Sequence, residues 1–363
     1  MAGIYVHIPF CKKACHYCNF HFSTSVRYKE KMVVSIIAEV KLRKKYLNDL
    51  LVETIYFGGG TPSLLTRAEL MKIFEAIYNN FNVSETSEIT LEANPDDLTP
   101  AVLDGLVATP INRLSIGIQS FFEEDLRWMN RAHTADQSTT CLQLAQQKGF
   151  KNFTIDLIYG VPTLTHNKWQ RNLETAFSYD IPHISSYCLT VEPKTALDHF
   201  VKTGKVQPMP EPRQIEQFNI LMNKTNQAGY DHYEISNFAK PSFYARHNSS
   251  YWQGKPYLGI GPSAHSYNGQ QRRWNVANNA KYMKNLDAGM PYFEVETLTP
   301  EDQYHEYIMT GLRTIWCCDI KRIAAIGQRF KDAFMQQIVS YLQQGLVQEN
   351  KGIYTLTQAG KAQ

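Results

Sequence analysis

The sequence lacks any apolar run long enough to cross a bilayer, and its first residues lack the basic start and apolar core of a secretory signal. These absences lead us to expect a cytoplasmic protein, with attachment to the inner face of the membrane left open. Charge of either sign is in little excess. Lys and Arg number 37 against 34 Asp and Glu, and a formal net charge of +3 is too small to indicate a nucleic-acid-binding surface.

Cysteine is also scarce, with seven in 363 residues, and in a reducing compartment this number does not indicate a disulfide framework. Three of the seven lie in one short loop with the spacing C-x3-C-x2-C, directly after an apolar run: Cys11, Cys15 and Cys18. We expect the other four to be structural residues of apolar segments: Cys141, Cys188, Cys317 and Cys318.

Three thiolates so close together favour a metal, and three is one fewer than the usual four ligands. An iron–sulfur cubane held by three thiolates would leave one iron without a protein ligand. That iron could chelate a small molecule that carries an amino and a carboxylate group. The alternative is a structural zinc site with His7 or His16 as fourth ligand, although no second ligand pair follows in the sequence.

Short β-rich runs alternate with helical stretches about six times, which predicts parallel α/β architecture, either a doubly wound sheet or a barrel. The second helical stretch has Thr66 as a plausible N-cap and Glu69 at the capping-box position. The six runs are IYVHI from residue 4, ETIYF from 53, EITLEA from 88, RLSIGI from 113, FTIDLIYG from 153 and ISSYCL from 184.

Polar and glycine-rich residues lie at or just after the ends of five consecutive predicted strands, where a barrel places its working residues. GGGTPS follows the second run and favours either a backbone cradle for a ligand or a tight turn, since it lacks the lysine of a phosphate loop. Glu92 could bind ribose hydroxyls, Arg131 could hold a carboxylate, and Asp156 lies between apolar neighbours. Each of these side chains could instead form an ordinary ion pair.

After about residue 200 the alternation stops. We expect a barrel over residues 1–240, a connecting region over 241–295, and a small winged-helix-type domain over 296–363 that ends in the hairpin LVQENKGIYTLT.

An ordered set of motifs carries a family resemblance: YVHIPFCKKACHYC, FGGGTP, LEANP, RLSIGIQSF and IDLIYGVP. Together they resemble the radical S-adenosylmethionine (SAM) enzymes of the oxygen-independent coproporphyrinogen oxidase group. The resemblance implies a partial (β/α)6 barrel and a 4Fe-4S cluster on the three loop cysteines, with SAM on the open iron. The implied SAM contacts are Tyr5, Tyr17, Gly59, Gly60, Thr61, Glu92, Gln119, Arg131 and Asp156.

Two branches of this group differ near the cysteine loop. The oxidase branch has a fourth cysteine two residues after the third and a longer N-terminal segment, whereas this sequence has Phe20 at that position and a short start. Both features resemble the HemW branch of haem chaperones, which carries an H-N-x-x-Y-W motif. That motif is present here, and the resemblance makes its residues haem-binding candidates: His247, Asn248, Tyr251 and Trp252.

Imidazole is a common axial ligand of haem iron, which makes His247 the first candidate for that role. We therefore expect a haem chaperone rather than a coproporphyrinogen III dehydrogenase, and whether SAM is cleaved productively is left open. We expect haem as ligand, haem-requiring respiratory proteins as acceptors and no nucleic-acid partner, with a homodimer left open. A true coproporphyrinogen III oxidase is the second hypothesis, and a zinc-stabilised binding protein is the third.

Overall fold

The computed structural model describes residues 1–363. Its first half repeats a strand followed by a helix. The strands are almost continuously buried, as parallel strands covered on both faces must be; β4 below is buried at all seven positions. The elements of this part are β1 (Ala2–Ile8), α1 (Lys29–Leu42), β2 (Val52–Gly59), α2 (Arg67–Tyr78), β3 (Val83–Ala93), α3 (Pro100–Val107), β4 (Arg113–Gln119), α4 (Glu123–Trp128), α5 (Ala135–Gln147), β5 (Phe153–Tyr159), α6 (His166–Ser178) and β6 (His183–Cys188).

The middle of the chain adds short strands to both edges of the same sheet. It comprises α7 (Ala196–Lys202), α8 (Glu211–Gln227), β7 (Asp231–Glu234), β8 (Asn237–Ala239), α9 (Arg246–Trp252), β9 (Tyr257–Ile260), β10 (His265–Tyr267), β11 (Gln271–Asn275), α10 (Asn279–Asp287) and β12 (Phe293–Thr297).

The sheet has twelve strands in the order β12-β11-β10-β9-β1-β2-β3-β4-β5-β6-β8-β7. Strands β1 to β6 are parallel and follow chain order, so the strand order never reverses as it does in a doubly wound sheet. The outer edges of β1 and β6 pair with β9 and β8 and not with each other. The fold is therefore the predicted partial (β/α)6 barrel, and the doubly wound alternative is wrong.

Helix α2 begins as its sequence predicts. The Thr66 hydroxyl accepts a hydrogen bond from the Glu69 amide at 3.2 Å, and the Glu69 carboxylate accepts one from the Thr66 amide at 2.7 Å. This reciprocal capping box satisfies two amides that the first helical turn would otherwise leave unpaired.

The C-terminal part has its own small apolar core, centred on Phe330, Phe334 and Tyr354. Its element order, helix–strand–helix–helix–strand–strand, is that of a winged helix, and the predicted terminal hairpin is present as an antiparallel pair. The elements are α11 (Pro300–Leu312), β13 (Cys318–Asp319), α12 (Ile320–Ile326), α13 (Gln328–Gln343), β14 (Val347–Asn350), β15 (Ile353–Leu356) and a last short helix, α14 (Gln358–Lys361). No helix combines the length and the apolar character that crossing a bilayer requires. The domain boundaries at residues 240 and 295 stay predictions.

Candidate functional site

A cavity of about 380 Å³ lies at the C-terminal ends of the barrel strands, and we call it the first cavity. It brings together the three loop cysteines and eight of the nine residues expected to contact SAM, although these come from six separate segments of the chain. The residues on its wall from that set are Cys11, Cys15, Cys18, Tyr17, Gly59, Gly60, Thr61, Glu92, Gln119, Arg131 and Asp156.

Tyr5 is the exception. Its hydroxyl lies 3.2 Å from Nδ1 of His7, and its ring lies beside those of Tyr56 and His247, outside the wall of the first cavity. Its contact with SAM stays a prediction.

The cysteine loop is held by backbone hydrogen bonds to distant segments. The Cys11 amide donates to the Ser23 carbonyl at 3.0 Å, and the His16 amide donates to the Met129 carbonyl at 3.1 Å. The imidazole of His16 is also engaged, with Nδ1 2.9 Å from the Trp128 carbonyl oxygen. These contacts anchor the loop to the chain just after it and to the end of α4.

A single zinc ion would need its ligands grouped around one point. No three side chains from His, Cys, Asp and Glu converge as the ligands of one ion would. His7, an alternative fourth zinc ligand, uses Nε2 to donate to the His21 carbonyl and Nδ1 for Tyr5. In a cubane the thiolates bind different irons and need not converge on one point.

Two donors already point at these sulfurs. The Thr61 hydroxyl lies 3.3 Å from Sγ of Cys11, and Nη1 of Arg131 lies 3.3 Å from Sγ of Cys15. Burial raises the pKa of the Cys11 thiol to about 11, and the Thr61 hydroxyl partly offsets that rise. A metal would therefore have to displace protons on binding, as metals bound by thiolates do.

The glycine stretch passes so close to its neighbours that two positions have no room for a side chain. Gly59 has a φ of +106°, and a Cβ there would lie 2.5 Å from the His7 ring. At Gly60 a Cβ would lie 2.6 Å from the Phe10 carbonyl oxygen. The backbone of β2 consequently forms part of the cavity wall itself, as the cradle interpretation requires.

Glu92 and Asp156 project into the cavity from β3 and β5. The Glu92 carboxylate accepts hydrogen bonds from the Tyr56 hydroxyl at 2.8 Å and from the Gly59 amide at 3.2 Å, while burial raises its pKa. Burial, with the nearby charge of Glu92, raises the pKa of Asp156 to about 7. Burial thus raises the pKa of both carboxyl groups in this cavity.

Arg131 is fixed in the cavity wall. One terminal nitrogen, Nη2, donates to Oδ1 of Asn94 at 2.7 Å and to the Gly117 carbonyl at 2.8 Å. Its Nε–H is buried without a protein partner, so it is a donor that a bound anion could satisfy. Gln119 ends β4 with a φ of +65°, beyond a register shift between β4 and β5.

The four residues of the H-N-x-x-Y-W motif do not meet in one cavity. His247 is 1% exposed. Its Nδ1 lies 2.8 Å from the Thr54 hydroxyl and its Nε2 lies 2.7 Å from the Tyr251 hydroxyl, so both ring nitrogens are engaged. Burial, with the positive charge of Arg113, lowers the pKa of His247 to about 3 and keeps the imidazole neutral.

Asn248 lines the first cavity. Together with Tyr251 and Trp252 it also lines a larger cavity, which is described below. His247 lines neither, although its partner Tyr251 does.

Several wall residues of the first cavity escaped sequence reasoning, namely Tyr56, Arg113 and Tyr187. Arg113 opens the RLSIGI run and is 1% exposed. Its position at the start of an otherwise apolar strand was an available signal, because an arginine is almost never fully buried unless it is paired.

The expectation that four cysteines are structural needs a correction. Cys141 and Cys318 are buried, as expected. Cys188 and Cys317 are half-buried, and each lines a cavity, Cys188 the first and Cys317 the larger one. Their apolar sequence neighbours Tyr187, Ile315 and Trp316 are themselves exposed, so these two stretches leave the core at the cysteines.

Comparison with protein-family models places the radical SAM superfamily over residues 5–176 and the HemN C-terminal domain over residues 298–362. Among curated proteins, the chain is 34% identical to the "Heme chaperone HemW" of Bacillus subtilis over 99% of this chain and 96% of that one. It is 30% identical to the protein of the same name from Lactococcus lactis over 98% of this chain and 93% of that one. The chain belongs to the HemW family.

The HemW family in turn shares its fold with the oxidase branch. The coproporphyrinogen III oxidase (HemN) of Escherichia coli, a radical SAM enzyme, superposes with a TM-score of 0.83 at 25% identity over 99% of this chain and 87% of that one. Most wall residues of the first cavity lie within the segment that the radical SAM model matches, while those between residues 185 and 192 and Asn248 lie beyond it.

Proposed function

We propose that the protein is a haem chaperone, which binds haem and transfers it to haem-requiring proteins. The observation that carries this proposal is the similarity to proteins named heme chaperone HemW, which extends over 98 to 99% of the chain and so includes all parts of the fold. The H-N-x-x-Y-W motif, expected of that branch, supports it.

In this proposal the first cavity holds a 4Fe-4S cluster on Cys11, Cys15 and Cys18, with SAM beside it. Bound SAM would supply the amino and carboxylate groups that complete the open iron. The unpartnered Nε–H of Arg131 could bind its carboxylate, the backbone at Gly59 and Gly60 could approach its amino-acid end, and the remaining contacts would be those predicted above.

A true oxidase is the second candidate, because the HemN oxidase has the same fold. The residue where the oxidase branch has its fourth cysteine argues against it. Phe20 lines the first cavity and is 69% exposed, and it offers neither a metal ligand nor a hydrogen bond.

The two candidates are separated on one anaerobically reconstituted sample. Ferric and ferrous haem are titrated by absorption, transfer is followed to an apo-haemoprotein, and coproporphyrinogen III turnover is measured in parallel with SAM and a reductant. A chaperone binds haem and transfers it without forming protoporphyrinogen. Turnover of the porphyrinogen would favour the oxidase, and absence of haem binding would refute the chaperone.

His247 is proposed as the haem ligand, on the condition that Tyr251 moves. Because Nε2 of His247 is hydrogen-bonded to the Tyr251 hydroxyl, iron could bind that nitrogen only after the hydroxyl leaves. Tyr251→Phe removes this hydrogen bond and keeps the ring. We expect Tyr251→Phe to retain the spectrum of histidine-ligated haem and His247→Ala to lose it; an unchanged spectrum in His247→Ala would refute the assignment.

The acceptors proposed for this chaperone are respiratory haem proteins, some of them bound to the membrane. We also propose a cytoplasmic location, peripheral attachment to the membrane and a homodimer. Copurification of the haem-loaded protein with membranes, compared with the haem-free protein, tests attachment, and sedimentation of both forms tests the dimer.

A further inference from the structure

A second and larger cavity, of about 1150 Å³, lies where the connecting region meets the C-terminal domain. We call it the second cavity. Its walls come from the turn between β7 and β8, from α9 and the start of β9, from β10 and β11, and from α11 and α12 of the small domain. Small-molecule sites have volumes of about 300–1,000 Å³, so this space is large enough for a ligand bigger than SAM.

The wall of the second cavity is rich in aromatic rings, which suit the faces of a flat, apolar molecule. They approach from the barrel side and from the small domain, since Trp316 lies in the turn after α11 and Tyr251 in α9. Seven aromatic residues take part: Tyr187, Tyr251, Trp252, Tyr257, Tyr267, Tyr307 and Trp316.

Positive charge exceeds negative charge around this space. Four cationic side chains and two carboxylates line it, which leaves an excess of two positive charges: Lys255, Arg272, Arg313 and Arg322 against Glu234 and Glu306.

The pairing within this set shows which cations are free. Arg272 forms an ion pair with Glu306 at 2.8 Å, and Glu234 accepts hydrogen bonds from the Ser236 amide and from Asn237. Neither Arg313 nor Arg322 has a carboxylate partner, and Arg322 lies over the Tyr307 ring at 4.6 Å. Two unpaired guanidinium groups beside an aromatic wall match a planar ligand with two carboxylates.

The two cavities are neighbours. Tyr187 and Asn248 belong to the walls of both, and Asn248, Tyr251 and Trp252 bring the H-N-x-x-Y-W motif to the second one. A ligand of the second cavity would therefore lie beside the proposed cluster and SAM without displacing them. The first cavity, about a third as large, would already be occupied by that pair.

From these observations we infer that the second cavity is the haem site, with the two haem propionates bound by Arg313 and Arg322. The inference deepens the proposed chaperone function and rests on it. It also relates the H-N-x-x-Y-W motif to the proposed site, because Tyr251 lies between this cavity and the ring nitrogen of His247.

Two cysteines report which cavity is filled. Cys317 lines the second cavity and Cys188 the first, and both thiols are half-buried. Burial raises the pKa of both thiols, so both react slowly and alkylation is best run at mildly alkaline pH. The reconstituted, SAM-loaded protein is alkylated with iodoacetamide with and without haem, and modified peptides are quantified by mass spectrometry.

We expect haem to slow alkylation of Cys317 at least about fivefold and to leave Cys188 unchanged. Protection of Cys188 alone would place haem in the first cavity and overturn the inference, as would protection of neither thiol by bound haem.

The arginines are tested by the double substitution Arg313→Ala and Arg322→Ala. Both residues are exposed and lack ion pairs, so the fold should tolerate their loss. Arg329→Ala, in the same domain but off the cavity wall, is the matched control. We expect the double variant to bind haem at least about tenfold more weakly, and the control to bind it as the wild type does. Equal affinities in all three proteins would overturn the propionate assignment.

Porphyrin analogues separate this inference from the chaperone proposal. Iron-free protoporphyrin keeps the ring and both carboxylates, and its dimethyl ester removes their charges. We expect the free acid to protect Cys317 from alkylation. The ester should bind the wild-type protein no more tightly than it binds the double variant. If haem itself fails to bind while protoporphyrin protects Cys317, the chaperone proposal fails and the site remains; if neither porphyrin binds, the site fails as well.

Discussion

Single residues at the rim of the first cavity are constrained mainly by contact distance and by burial. At Gly60 the constraint is steric, because three backbone atoms of Ile8 and Phe10 lie within 2.8 Å of where a Cβ would stand. These atoms belong to the backbone that leads into the cysteine loop, so the glycine couples the two parts of the proposed cofactor site.

We expect Gly60→Ala to push the loop and β2 apart and to weaken SAM binding at least about tenfold, measured by calorimetry on the reconstituted protein. Gly105→Ala is the matched control. Its helix α3 leaves the new Cβ 3.9 Å from its nearest neighbour, so stability should rise by up to about 1 kcal/mol. Normal SAM affinity in Gly60→Ala would show that this close approach does not shape the site.

At Asp156 the constraint is electrostatic. Its pKa is about 7 in the folded protein against an ordinary value of 3.8, so the native state binds the proton more tightly than the unfolded state does. The fold should therefore lose stability as pH rises from about 4 to about 7. Because Asp156 lines the cavity and is only half-buried, we expect a loss of roughly 1–3 kcal/mol and not the full value of the shift.

Asp156→Asn replaces this carboxyl group with a neutral amide of similar shape. Urea denaturation of the cluster-free protein between pH 4 and pH 8 should then show a flatter profile than the wild type. Asp136→Asn, an exposed carboxylate in the first turn of α5, should leave the profile as it is. Parallel profiles for Asp156→Asn and the wild type would contradict a raised pKa at this position.

Among the elements, the strands and helices of the barrel could be predicted from sequence because local patterns determine them. All six β-rich runs are strands, and Thr66 caps α2 through the expected box. The short strands β7 to β12 contain too few residues to show an alternation of polar and apolar side chains. Their pairing with the edges of the sheet depends on tertiary contacts. The first cavity was predictable for the same reason as the barrel, since its residues end successive strands.

One tertiary contact between elements is the buried carboxylate of Glu39 on α1. It accepts hydrogen bonds from the Gly261 amide at 2.8 Å, from Nδ2 of Asn275 at 2.9 Å and from the Tyr282 hydroxyl at 2.7 Å, and it pairs with Arg43 at 3.3 Å. These contacts join helix α1 to residues of the connecting region that lie more than 200 positions further along the chain.

Glu39→Gln should destabilise the protein by about 2–4 kcal/mol, because the amide nitrogen would face donors and leave Arg43 without its partner charge. Glu30→Gln makes the same change at an exposed position of the same helix and should change stability by less than about 0.5 kcal/mol. Chemical denaturation of both variants measures the difference. Equal stabilities would show that the contacts of Glu39 contribute little.

For the whole molecule, the second cavity is the feature that sequence reasoning missed. Its wall joins Tyr187, Tyr251 and Arg313, which lie far apart in the chain and belong to no shared motif. The surfaces on its two sides are connected by few backbone contacts. The Ile315 amide donates to the Tyr233 carbonyl at 3.0 Å, and a single bridge joins Glu234 to Thr314.

Few connecting backbone hydrogen bonds allow local opening, and a ligand that contacts both sides should suppress it, since binding to the closed state stabilises that state. We therefore expect haem to slow amide hydrogen exchange in residues 314–317 and 234–237, and SAM to slow it in residues 58–61 and 117–120. Peptide-resolved exchange with each ligand alone measures both effects. If haem instead protected the segment around residues 58–61 and left residues 314–317 unchanged, haem binding would belong to the barrel, and the small domain would have no part in holding it.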